Sequence, residues 1–137
     1  MTARIHAIEK EIMGYLCPQC LKSDSLEIIL SIELSPDSRS DEITLQILTC
    51  SSCGMYGVGV YEESRRGPLG EDHWEHCGYQ VDRPYADAIA HLIKDCPNRF
   101  NRRCSCQAHA VLGKVDSSGR WQGLVQAEIM QTFGLVP

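Results

Sequence analysis

Two Cys-x-x-Cys pairs, Cys17-Pro-Gln-Cys20 and Cys50-Ser-Ser-Cys53, enclose 29 residues of strongly alternating sequence. No other feature restricts the fold of this chain as much. A Cys-x-x-Cys turn presents two thiolates from one tight loop, and two such turns complete the four-sulfur tetrahedron that zinc prefers, with Zn–S near ~2.3 Å. The chain between them must leave the first pair and return to the second. Leu26, Ile28, Leu30, Ile32 and Leu34 recur at period two against Glu27, Ser31 and Glu33, with Ile29 the exception, which predicts a strand with one apolar face. Ile43, Leu45 and Ile47 repeat the pattern, and the polar stretch SPDSRSDE with Pro36 reads as the loop of a long hairpin. MYGVGVYEE predicts a third strand, where Gly57 and Gly59 leave room for another backbone to approach. Pro18 stiffens the first knuckle, and Gly54 follows the second, where a positive φ is commonly required.

The remainder of the chain reads differently. Ile5, Ile8, Ile12 and Met13 sit at helical spacing and predict a short amphipathic helix over residues 3–13 that packs on the core. Residues 64–72, rich in glycine and charge, read as a linker or long loop. DRPYADAIAHLIKDC predicts a helix with Asp82 as N-cap and Pro84 in the first turn, ended by the Cys96-Pro97 step. DSSG, flanked by AVLGKV and RWQGLV, predicts a hairpin, and AEIMQTF a last short helix. The expected fold is α+β. An N-terminal helix and three-stranded antiparallel zinc ribbon would occupy 1–63, and a smaller helix-plus-hairpin part, stabilised by its own zinc, 73–137.

That second zinc rests on Cys96, Cys104, Cys106 and His109, four soft donors within fourteen residues, with Cys77 an alternative fourth ligand. Arg99, Arg102 and Arg103 lie in the intervening loop, where positive charge favours thiolates. These arginines and Phe100 also form a local basic segment over 94–103, which is the alternative, nucleic-acid-binding reading: guanidinium for phosphate, ring for base stacking. A third reading places an open zinc position, and so a metalloenzyme, near His73, His76 and Cys77. Cys-Pro-Gln-Cys by itself also fits a thiol–disulfide redox motif, but the strand-only surroundings lack the thioredoxin-like alternation of strands and helices.

The CPQC and CSSCG knuckles with their three strands resemble the zinc ribbon family over residues 15–63, although the 29-residue separation is longer than in compact ribbons. The resemblance implies a closed, structural four-cysteine site and raises the nucleic-acid reading somewhat. Composition bears on what remains. Eight cysteines in a chain without an apolar leader, and with no run of ~18 apolar residues, point to metal ligands in a reducing, cytoplasmic setting rather than to disulfides. A net charge of −5 gives no general attraction for phosphate backbones. No phosphate-cradling glycine loop, G-x-S-x-G or H-E-x-x-H is present. The leading expectation is therefore a non-enzymatic protein with two structural zinc ions, no membrane association and no evident small-molecule substrate, which binds a protein partner.

Overall fold

The computed structural model describes residues 14–65, 72–124 and 127–136. The helix expected over residues 3–13 lies outside the described residues. Within them the chain forms one antiparallel sheet in sequence order: β1 (Leu26–Leu34), β2 (Glu42–Cys50), β3 (Tyr56–Ser64), β4 (His73–Val81) and β5 (Gln131–Gly134). Helices α1 (Arg83–Asp95) and α2 (Gln107–Leu112) follow β4. The expected architecture of a three-stranded ribbon beside a helix-plus-hairpin part is therefore incorrect. β4 pairs with β3 from Tyr56↔Val81 to Ser64↔His73, so the strands on either side of 64–72 belong to one sheet. HWEHCGYQV does not read as a strand because it lacks apolar alternation: Cys77, Tyr79 and Val81 face α1, whereas His76 and Gln80 are polar residues covered on the other face.

Two further expectations fail locally. Ala110–Leu112 end α2 instead of starting a hairpin, and Val115↔Trp121 is a single bridge around the turn at Asp116, whose carboxylate accepts from the Ser118 and Arg120 amides. Gln131–Gly134 form β5, not a helix, because β4 offers its free edge: Cys77 pairs with Gly134 and Gln80 with Gln131.

β1 does not keep one apolar face. The register slips between Ile28, opposite Leu48, and Leu30, opposite Ile47, leaving Ile29 as the extra residue of a β-bulge. The bulge reverses the alternation. Leu30, Ile32 and Leu34 pack with Leu45, Val58, Val60 and α1, whereas Leu26 and Ile28 pack on the opposite face with Tyr15, Leu48 and Met55. Ile29, apolar yet 53% exposed, is what the bulge leaves outside.

α1 covers the first face through Ala86, Ile89 and Ile93. Its N-cap is Asp82, which accepts from the Tyr85 amide at 2.8 Å. On the second face a lane of glycines makes room for backbone and for side chains: a Cβ on Gly57 would lie 3.1 Å from the Tyr79 carbonyl, whereas Gly59 and Gly78 face side chains. A Cβ on Gly59 would lie 2.6 Å from Gln46 Oε1, and one on Gly78 would overlap the Phe133 ring. Residues 15–16 then tie together the two outer ends of the sheet. Tyr15 pairs with Leu26 at the start of β1, and the Leu16 amide donates to the Val136 carbonyl at 2.8 Å beyond β5.

Candidate metal centres

The first centre sits at one end of the sheet. Cys17 and Cys20 come from the turn before β1, and Cys50 and Cys53 from the turn between β2 and β3. The antiparallel pairing Leu26↔Cys50 brings the two turns side by side. Both knuckles have the same backbone form. The residue after each second cysteine, Leu21 and Gly54, has a positive φ (62° and 76°), and its amide donates to the carbonyl of the first cysteine at 2.9 and 3.0 Å. Cys17 Sγ lies 3.6 Å from Cys53 Sγ, and Cys20 Sγ 3.8 Å from Cys50 Sγ. The edge of a tetrahedron with Zn–S of ~2.3 Å is ~3.8 Å, so the four sulfurs already outline such a sphere. All eight cysteines are free thiols.

The second centre lies between the helices and the outer edge of β1. Cys96 ends α1, Cys104 follows in the loop, Cys106 is the N-cap of α2 and His109 stands in its first turn. Their ligand atoms all fall within 4.8 Å of one another. Cys96 and Cys104 sulfurs are 3.8 Å apart, and His109 Nδ1 is 3.4 Å from both Cys96 and Cys106. Those values match the ~3.6 Å edge of a tetrahedron with one nitrogen and three sulfur ligands. The other ring nitrogen, Nε2, is 2.8 Å from the Glu33 carbonyl. A carbonyl only accepts, so Nε2 carries the hydrogen and the Nδ1 lone pair faces the sulfurs, the tautomer a metal requires. The Glu33 amide in turn donates to the Arg99 carbonyl at 2.8 Å. The ligand loop thus covers the outer edge of β1 by hydrogen bonding both backbone groups of one residue.

Each centre joins one thiol that ionises easily to one that resists. Burial pushes Cys17 up to about 12 and Cys96 up to about 11. Cys50 is also buried, but the Cys53 amide, the Ser25 hydroxyl and the Ser52 amide outweigh that and bring it down to about 6. The His109 amide and ring bring Cys106 down to about 6. A dication supplies the charge needed to deprotonate the reluctant thiols, which couples metal uptake to proton release. The donor sets therefore fit two metal ions, each held by four protein ligands.

The other candidate residues are placed elsewhere. Cys77, half-buried on the α1 side of β4, belongs to neither centre; burial and the carboxylates of Glu75 and Glu62 raise its pKa. His76 and Cys77 are adjacent in a strand and point to opposite faces. His73, at the far end of β4, bonds Glu75 instead. These three side chains do not converge, and among the described residues there is no third group of metal-binding side chains. In the basic segment, Arg99 lies over the Phe100 ring at 4.9 Å. Arg102 is committed to the fold: its guanidinium donates to the Asp41 carbonyl at 3.1 Å, and its own carbonyl accepts from Ser35. Phe100 and Arg103 are exposed and line a groove of about 340 Å³ with Arg102, but Glu33 and Glu42 line it too.

Sequence reasoning missed the supporting residues Ser25, Gln19, Gln80 and the Glu33 main chain. Gln19 donates to Cys53 Sγ at 3.4 Å, and the Cys50 thiol bonds Ser25 at 3.3 Å. A main-chain carbonyl has no side-chain signature, so Glu33 is unreadable from sequence; Gln19, inside the first knuckle, is the one with a signal. No helix among the described residues is long and apolar enough to cross a membrane. In comparison with known proteins, no family model matches the chain, and no curated protein or solved structure is significantly similar to it.

Proposed function

We propose that this chain is a non-catalytic zinc protein, in which two structural zinc ions hold a surface that binds a protein partner. One observation carries the reading: each centre already has four protein donors at tetrahedral spacing, and a closed sphere leaves no position for substrate or an activated water. The thiolate-rich donor sets favour zinc over harder cations, and the likeness of residues 15–63 to zinc ribbons supports the same metal at the four-cysteine centre. A protein partner is favoured over nucleic acid because the arginines of the basic segment share their groove with carboxylates that would repel a phosphate. Arg102 is bonded to the backbone, and Glu33 and Glu42 share the groove with the arginines. Phosphate binding depends on uncompensated cations. Exposed apolar side chains, Phe100 on the loop and Ile29 on the β1 edge, are the kind of anchors a protein partner would cover.

The test is metal content per chain by elemental analysis, with thiols counted before and after denaturation. Two zinc ions per chain and eight thiols, most of them shielded until denaturation, are expected. A chain that neither holds zinc nor takes it up would end the reading. Fluorescence anisotropy against a single-stranded oligonucleotide separates the partners: no salt-sensitive binding is expected, and a salt slope that Arg103→Ala reduces would replace protein with nucleic acid.

A further inference from the structure

The four-cysteine centre is connected to the far edge of the sheet by a file of side-chain amides. Gln131 on β5 donates to Gln80 Oε1 at 2.7 Å, Gln80 on β4 donates to Gln19 Oε1 at 2.7 Å, and Gln19 donates to Cys53 Sγ at 3.4 Å. All three amides point the same way. A metal-bound thiolate only accepts, so it fixes Gln19 as donor. The Gln19 carbonyl is then free to accept from Gln80, and the Gln80 carbonyl from Gln131. Gln80 is 8% exposed and bonds two exposed glutamines, so losing either partner leaves a buried amide group to be satisfied.

The main chain follows the same route. Leu16, immediately before the first ligand, donates to the Val136 carbonyl at 2.8 Å, and Met130 donates to the Gln80 carbonyl at 2.9 Å. The C-terminal strand is thus held at its far end by Leu16, next to the Cys17–Cys20 turn, and at its near end by the Gln80 main chain and, through Gln131, by the amide file that ends at that turn. Its own hold is small. β5 has four residues, mostly exposed, and its main anchor is the Phe133 ring seated on Gly78, with Leu135 on Gly59.

We propose that residues 130–136 are a latch whose closure is set by metal occupancy of the four-cysteine centre. This rests on the reading that Cys17, Cys20, Cys50 and Cys53 hold a metal. With the metal bound, the turn is rigid, the amide file is complete and the strand covers the β4 edge. With the metal gone, Gln19 and Leu16 lose their fixed positions and the strand is released. That uncovers an edge of backbone donors and acceptors beside the glycine hollow, a surface suited to an added strand with an aromatic anchor.

Linkage supplies the test, because a metal that stabilises the latch must be stabilised by it to the same degree. The full chain is loaded with cobalt(II), whose absorption distinguishes a four-sulfur sphere from one of three sulfurs and a nitrogen. Gln131→Leu, which alters no ligand, is compared with the parent protein. Losing one partly buried amide bond should speed cobalt release to a chromophoric chelator about threefold at the four-sulfur centre, with the other centre unchanged. In metal-loaded Gln19→Leu, hydrogen exchange of amides 131–136 should rise by a similar factor while β2 and β3 stay protected. Equal release from Gln131→Leu and the parent, acceleration at both centres alike, or unchanged exchange in Gln19→Leu overturns the latch. A parent protein with no four-sulfur cobalt spectrum overturns the metal reading itself, and the latch with it. The parent spectrum therefore tells the two failures apart.

Discussion

The two metal centres share a tetrahedral geometry but not a place in the fold. The four-cysteine centre joins turns 30 residues apart in the chain, at the end of the sheet where Tyr15, Leu26, Leu48, Cys50 and Met55 form their own apolar cluster. The Cys96–His109 centre is drawn from one continuous segment, which meets the sheet through Glu33, through the Arg102 bonds to Ser35 and Asp41, and through Cys96 and Ala108 in the main core. Closing a long loop removes more freedom from the unfolded chain than closing a short one. A metal at the first centre is therefore a tertiary bond that registers β1 against β2 and β3, whereas a metal at the second organises a local turn between α1 and α2. Similar donor sets need not make similar contributions to stability.

The largest expected effect tests that difference directly. Cys50→Ser removes the most easily ionised ligand of the first centre and leaves three thiols, one of them deeply buried. It should release one metal and cost more than about 3 kcal/mol, read as loss of cooperative thermal melting at physiological temperature. A variant with full metal content and unchanged melting would contradict the four-cysteine assignment. Cys106→Ser at the second centre removes a ligand but leaves a serine able to cap the six-residue helix. It should also lose one metal but keep the sheet folded, at a cost of about 2 kcal/mol from the lost metal alone. Exchange should accelerate over 96–112 and not over β2. Uniform acceleration would mean that the centres are equally tertiary.

Much of this asymmetry is legible in the amino-acid sequence. The 29-residue alternating span requires the chain to return on itself, and fourteen contiguous residues can hold the second donor set without help from elsewhere. Long-range pairing is what the sequence hides. β4 carries His76 and Gln80 into covered positions, so a search for period-two apolar residues passes over it. β5 is a strand only because β4 has a free edge. Ile29 is an exception to the alternation, and that exception marks the bulge, but nothing local announces that the alternation will resume on the other face.

Acid exposure sharpens the comparison by loading the second face of the sheet without altering a ligand. His76 is half-buried between Tyr15 and Tyr61, 2.7 Å from Gln46 Oε1, and its partial burial lowers its pKa to about 4. The unfolded chain takes up this proton near pH ~6.5, whereas the folded chain resists until about pH 4. The unfolded state binds more protons in between, so stability is full above ~6.5 and falls as pH drops through that window, by up to about 3 kcal/mol for this group. Thiolate protonation weakens both centres over part of the same range. The difference between parent and His76→Gln isolates the histidine: the melting advantage of the parent should shrink steadily from pH 7 to 4.5. A constant difference would show that His76 titrates normally.

The smallest effect concerns the two knuckles of the first centre, which impose one backbone form on different residues. Gly54 and Leu21 both have a positive φ, and Leu21 is 71% exposed. A left-handed conformation costs a residue with a Cβ about 1–2 kcal/mol and costs glycine little. No atom lies within 4 Å of a Cβ placed on Gly54, so Gly54→Ala would test backbone conformation free of steric overlap. It should destabilise by about 1 kcal/mol. Leu21→Gly is the mirror experiment. Relief of strain should outweigh the extra freedom glycine gives the unfolded chain, which offsets about 0.4–1 kcal/mol. The exposed leucine side chain contributes little burial to lose. A net gain of about 0.5 kcal/mol follows, visible as a small rise in melting temperature at unchanged metal content. If Leu21→Gly lowers the melting temperature instead, the leucine is stabilising the first knuckle through a contact that outweighs its strain, and the two turns are not equivalent.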